Sequence, residues 1–150
     1  MHKPNLHPIS ASGIPVSPKP SLRVLVIDDD EAVLASLKDS LIFLGHQVQA
    51  ASGGKRGVEI FCTAVLKSEP YDVVITDLNM PDLDGYEVVK QIKAESPATP
   101  VIILSGLGAL EHRAKRIPAQ VDALVNKPPQ LKELNALLLQ LAKGPLGLCL

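Results

Sequence analysis

The feature that most constrains this chain is a repeating alternation. Short apolar runs, several ending abruptly in a polar side chain, are separated by stretches whose apolar residues recur at helical spacing. The first run, residues 22–27, is branched and apolar apart from Arg23 and stops at Asp28-Asp29-Asp30. Further runs cover residues 46–50, 71–76, 101–104 and 121–125, the third meeting Asp77 and the fourth Ser105. Between the first two, Val33, Leu34, Leu37, Leu41 and Ile42 mark one face of a helix that Gly45 can end. Val58, Phe61, Cys62, Val65 and Leu66 mark a second helix, and Tyr86, Val88, Val89 and Ile92 a third, closed before Pro97. A short polar helix is expected around residues 110–117, and Leu131, Leu134, Leu137, Leu138 and Leu141 line the last. Continuous apolar strands are buried on both faces, and strands joined through helices run parallel with right-handed crossovers. The expected fold class is α/β, a doubly wound five-stranded parallel sheet.

A chain of 150 residues suits one domain with its own core. Residues 1–20 hold five prolines and three serines with no acid and no hydrophobic period, so they read as a disordered leader or linker. Residues 21–143 form the expected domain, and residues 144–150 an apolar tail. Fifteen basic against sixteen acidic side chains leave a net charge of −1, which argues against direct nucleic-acid binding through a broad basic surface. Two cysteines, Cys62 and Cys149, make no disulfide framework, and no apolar run approaches the roughly 18 residues of a bilayer span. A cytoplasmic protein without membrane insertion is expected. Cys62 reads as helix packing, and His46 and His112, lacking partners at metal-ligand spacing, as surface residues.

In sheets of this kind ligands sit beyond the carboxyl ends of the strands, near the point where strand order reverses. The residues there are Asp28-Asp29-Asp30, Asp77, Ser105 and Lys127. Carboxylates from two strand ends repel unless a cation lies between them. Hard oxygen ligands with an incomplete shell suit Mg²⁺, and a carboxylate beside it can act as a nucleophile toward phosphorus. Lys127 offers a mobile cation and Ser105 a hydroxyl donor. The set matches phosphoryl transfer to a carboxylate, which needs mainly positioning and charge neutralisation.

These residues resemble the receiver domains of two-component response regulators. The resemblance rests on Val24-Leu25-Val26-Ile27-Asp28-Asp29-Asp30, on the run from Thr76-Asp77-Leu78-Asn79-Met80-Pro81 to Asp84-Gly85, on Ile103-Leu104-Ser105-Gly106, and on Asn126-Lys127-Pro128. It spans about residues 22–143 and implies a flavodoxin-like (βα)5 fold with strand order 2-1-3-4-5. It implies that Asp77 is the phosphoacceptor and also part of the Mg²⁺ site, that Asp29 binds the ion directly and Asp28 through water, and that the main-chain carbonyl of Asn79 completes the protein's share. Ser105 would turn its hydroxyl toward the phosphoryl group, Lys127 would pair with it, and Gly106 would leave space beside it. The Lys127–Pro128 bond would be cis. The implied partner is a sensor histidine kinase or histidine-phosphotransfer protein, with the effector unknown, and the implied role is a switch rather than a turnover enzyme. Leu124 departs from the pattern: many receivers carry Tyr or Phe three residues before the lysine, and leucine has no ring to swing.

Plainer readings stand beside this one. The acidic triplet could cap a helix, and Asp30 is expected to do so; Asp82 and Asp84-Gly85 read as turn and cap residues. Two alternatives from other classes are a receiver-like interaction module that works without phosphorylation and an aspartyl-phosphate-forming Mg²⁺ phosphatase. The latter class places its nucleophile after the first strand, whereas Asp77 follows the third.

Overall fold

The computed structural model describes residues 21–106 and 120–143. Five strands, β1 (Arg23–Asp28), β2 (Gln47–Ser52), β3 (Val73–Asp77), β4 (Val101–Ser105) and β5 (Ala123–Asn126), pair in parallel in the order β2-β1-β3-β4-β5. Among the described residues they are joined by α1 (Glu31–Phe43), α2 (Gly54–Leu66) and α3 (Gly85–Glu95), and followed by α4 (Leu131–Ala142). The helix expected around residues 110–117, the leader at 1–20, the tail at 144–150 and His112 lie outside the described residues.

Alternate side chains of each strand feed two separate cores. Leu25, Ile27, Val74, Val101 and Ile103 meet Phe61 of α2 and Val88, Val89 and Ile92 of α3. Val24, Val26, Val73, Ile75, Ile102 and Leu104 meet Leu34, Leu37 and Leu41 of α1 and Leu134 and Leu138 of α4. At roughly 1.5–3 kcal/mol for each fully buried aliphatic side chain, these two layers dominate the driving force for folding. β3 and β4 are buried throughout, while the edge strand β2 alternates exposed and covered positions.

Three strands extend one residue further than the hydrophobic runs suggest, to Asp28, Asp77 and Ser105, and two begin or end later still. The reason is backbone pairing, which continues under a polar side chain: Asp28 pairs with Ser52, Asp77 with Leu104 and Ser105 with Asn126. Helix ends follow their expected residues. Asp30 caps α1 by accepting from Ala32 and Val33, and Gly45 at φ +98° turns the chain into β2. Cys62 is half-buried on α2, and burial raises its thiol pKa, helped by the charge of Glu95.

One expectation is corrected. His46 is buried rather than on the surface, at 5% exposure. Its Nδ1 accepts from the Leu22 backbone N–H at 3.1 Å, and its Nε2 lies 2.7 Å from Asn135 Oδ1 of α4. The neutral ring, with its proton on Nε2, satisfies both contacts. A polar side chain can be buried here because both nitrogens are paired.

Candidate functional site

The site forms where four strand ends meet one rim. β1 and β3 are neighbours, with Ile27 beside Thr76, so Asp28 and Asp77 emerge side by side. β4 follows, and Ser105 at its end is 1% exposed. Lys127, just past β5, is drawn to the same rim by its backbone N–H, which donates to the Ser105 carbonyl at 2.8 Å. The Lys127–Pro128 peptide is cis, in line with the resemblance.

Three acids and one ammonium then face each other. One carboxylate oxygen each from Asp28, Asp29 and Asp77 lie within 4.8 Å of one another. Lys127 Nζ donates to Asp28 Oδ2 at 2.8 Å and sits 2.9 Å from Asp77 Oδ1. Asp28 is 3% exposed and Asp77 9%, whereas Asp29 is exposed. The second oxygen of Asp28 accepts from the Asp30 backbone N–H at 2.9 Å. Burial raises the Asp77 carboxyl above its ordinary pKa, Asp28 pushes the same way, and hydrogen bonding to Lys127 pulls against them. For Lys127, burial acts to lower the ammonium pKa, but bonds to Asp28 and Asp77 override it and hold it above its usual value. Both partners of one ion pair are thus raised. The acid's shift reflects burial among like charges, and the lysine's shift reflects its two partners.

Among the described residues, one ammonium faces three carboxylates, which leaves the cluster with an unbalanced negative charge. Oxygen ligands on opposite sides of an octahedral Mg²⁺ are about 4.2 Å apart. Acid oxygens within 4.8 Å of one another, all hard donors, fit such an ion.

Asn79 lies two residues past Asp77 in the loop to α3 and is exposed. Met80 after it is buried, and the loop is closed at its base by Gly85 N–H donating to the Leu78 carbonyl at 2.7 Å. A Cβ at Gly85 would stand 2.5 Å from the Asp77 carbonyl oxygen, so only glycine permits this closure. Among the described residues, an added Cβ at Gly106 would meet nothing within 4 Å. Leu124 is half-buried against the core on the α2–α3 face. Beside Lys127, a groove of about 540 Å³ runs between α1 and α4, walled by Val33, Leu37, Pro128 and Leu131.

Two connections are not legible in the sequence. Gly53 N–H donates to the Asp28 carbonyl at 3.2 Å, and Asp82, read as a local turn residue, caps α2 across the fold. Only the glycine pair Gly53-Gly54 at the start of α2 hints that another element must approach there.

A doubly wound sheet carrying an acidic, lysine-bridged pocket at its carboxyl rim is the architecture of a phosphoryl-handling α/β domain. The family model of the response regulator receiver domain matches residues 24–139, and the chain belongs to that family. It is 35% identical over 115 residues to the response regulator MprA of Mycolicibacterium vanbaalenii, covering 77% of this chain and 48% of that protein. The chain thus spans about half the length of the curated relatives it matches. A receiver domain protein from Clostridium thermocellum superposes with a TM-score of 0.72 at 31% identity, over 81% of this chain and 94% of that one. The response regulator TrrA of Thermotoga maritima, solved in complex with Mg²⁺-BeF, gives a TM-score of 0.68 at 27% identity, over 80% and 98% of the two chains. Among the described residues, no helix is long and apolar enough to cross a membrane.

Proposed function

We propose that this chain is a phosphoacceptor switch of a two-component or phosphorelay system, with residues 21–143 as the receiver unit and Asp77 as the residue modified. The observation that carries the proposal is the position of Asp77. It is a buried carboxylate at a strand end, 2.9 Å from Lys127 Nζ, with an oxygen within 4.8 Å of those of Asp28 and Asp29.

In this reading a phosphohistidine of a sensor kinase or phosphotransfer protein is presented at the rim in the cytoplasm, with the groove between α1 and α4 as a surface for the donor. An Asp77 carboxylate oxygen attacks phosphorus in line. The O–P bond forms as the P–N bond breaks, and the imidazole leaves and takes up a proton. Lys127 shifts its hydrogen bonds from the Asp77 carboxylate to the transferred phosphoryl oxygens. Ser105 donates its hydroxyl to the same group, and Gly106, with no side chain of its own, leaves room beside it. Asp29 directly, Asp28 through water, Asp77 and the Asn79 carbonyl would hold Mg²⁺. Bound there, the ion would neutralise the charge gathered between the acids and the phosphoryl group. The domain turns over no small substrate; its product is its own modified state, whose added charge is read by a partner.

Titrating a phosphate analogue such as beryllofluoride, with and without Mg²⁺, tests this. Binding that requires the metal and perturbs the amides of residues 77–79, 105 and 127 is expected. Identical spectra in both conditions would make the domain a phosphorylation-independent interaction module.

A further inference from the structure

The two acid-bearing strand ends are joined through the first turn of α2. On one side, Gly53 N–H donates to the Asp28 carbonyl at 3.2 Å. On the other, Asp82 reaches back from the β3–α3 loop. Its Oδ1 accepts from Gly54 N–H at 3.2 Å and from Leu83 N–H at 2.8 Å, and its Oδ2 accepts from Lys55 N–H at 3.0 Å. α2 has no cap of its own, because Gly53 offers no side chain and its first turn holds no acid. The open N–H groups of a helix start are therefore satisfied from 28 residues away. The approach is tight: a Cβ at Gly54 would lie 2.5 Å from the Leu83 carbonyl oxygen. These bonds hold the Asp82 carboxyl below its usual pKa, that from Lys55 most of all, although burial opposes them.

We propose that Asp82 is a positioning residue for the cation site: by binding α2, which is itself bonded to Asp28, it fixes how far the Asn79 loop stands from the β1 acids. The inference rests on the reading that Asp28, Asp29, Asp77 and Asn79 hold the ion. Asn79 lies between two anchors of its loop, the Gly85–Leu78 closure and the Asp82 tie to α2. Without the second anchor, repulsion within the acid cluster is free to widen the site. Asp84 supplies an internal contrast. It caps its own helix through Glu87 N–H at 2.9 Å and makes no such tie to α2 in the described hydrogen bonds.

The test is titration of Mg²⁺ alone into wild type, Asp82→Ala, Asp82→Asn and Asp84→Ala, followed by amide NMR, with thermal unfolding in chelator alongside. Losing a group that orients metal ligands costs roughly ten- to a hundredfold in affinity. Asp82 acts through the backbone, so Asp82→Ala should weaken Mg²⁺ about tenfold. Asp82→Asn keeps one acceptor oxygen and should fall between it and wild type. Asp84→Ala should bind within about twofold of wild type even if its melting temperature drops as far. Wild-type affinity in Asp82→Ala, or in Asp82→Asn should the alanine variant not fold, with wild type binding normally, overturns the positioning role alone. An equal loss in Asp84→Ala also overturns it, because general loop loosening would then account for the effect. Failure of wild type to bind Mg²⁺ near residues 28, 29 and 77 overturns the site reading and this inference with it.

Discussion

Replacing Asp77 by Asn should stabilise the metal-free domain, and the geometry gives the size. At an effective dielectric near 20, the attraction between Asp77 and Lys127 at 2.9 Å is about 6 kcal/mol gross. Repulsion from Asp28 and Asp29, each with an oxygen within 4.8 Å, is at least about 3.5 kcal/mol apiece on the same basis. The Coulomb contributions nearly cancel, so the desolvation of a buried carboxylate, a few kcal/mol in real proteins, decides the sign. The raised Asp77 pKa has the same origin and the same direction. Asparagine keeps the volume, can still accept from Lys127 and carries no charge. The expected gain is about 1–3 kcal/mol, or several degrees of melting temperature for a domain of this size. Thermal and urea unfolding in chelator measure it. Adding Mg²⁺ should narrow the gap, since at ten times its Kd a ligand adds about 1.4 kcal/mol to the wild type alone. A melting temperature that falls in Asp77→Asn without metal would refute the claim that the acids are held against net repulsion.

Lys127→Ala removes the ammonium shared by Asp28 and Asp77 and should cost about 1–3 kcal/mol without metal, tempered by the lysine's partial exposure. Urea unfolding checks this, and Mg²⁺ should recover much of the loss. The depressed Asp82 carboxyl contributes stability that is fully present above its usual 3.8 and is lost as pH falls through its lower folded value. The stability gap between wild type and Asp82→Asn should therefore be present at pH 7 and shrink below about pH 3.8, read by urea unfolding at each pH. With Leu124 in place of a ring, the analogue-bound form should shift the amides of residues 77–79, 105 and 127 strongly and those of residues 120–125 only modestly. Large shifts spread through β5 would point to a different switch residue.

The strands and the rim were legible because buried parallel strands are written as unbroken apolar runs, and because a polar residue after such a run has one place to go. Asp28, Asp77, Ser105 and Lys127 were found that way, and their meeting point follows from parallel pairing alone. Strand order came from resemblance, since apolar runs do not say which neighbours pair. The burial of His46 is not legible in the sequence because it depends on partners that lie 24 and 89 residues away, at Leu22 and Asn135. Asp82 looked like a local turn residue for the same reason, as its Gly54 and Lys55 partners belong to another helix. Periodicity reports which face is apolar; it carries no information about side chains that reach across the fold to backbone groups.

The central claim is that Asp77 accepts a phosphoryl group. Incubating wild type and Asp77→Asn with a small phosphodonor and Mg²⁺, then measuring intact mass, tests it most directly. Wild type should gain one phosphoryl group that is lost on treatment with hydroxylamine, and Asp77→Asn should gain none. Equal labelling of the two proteins, or no labelling of either, would contradict the account.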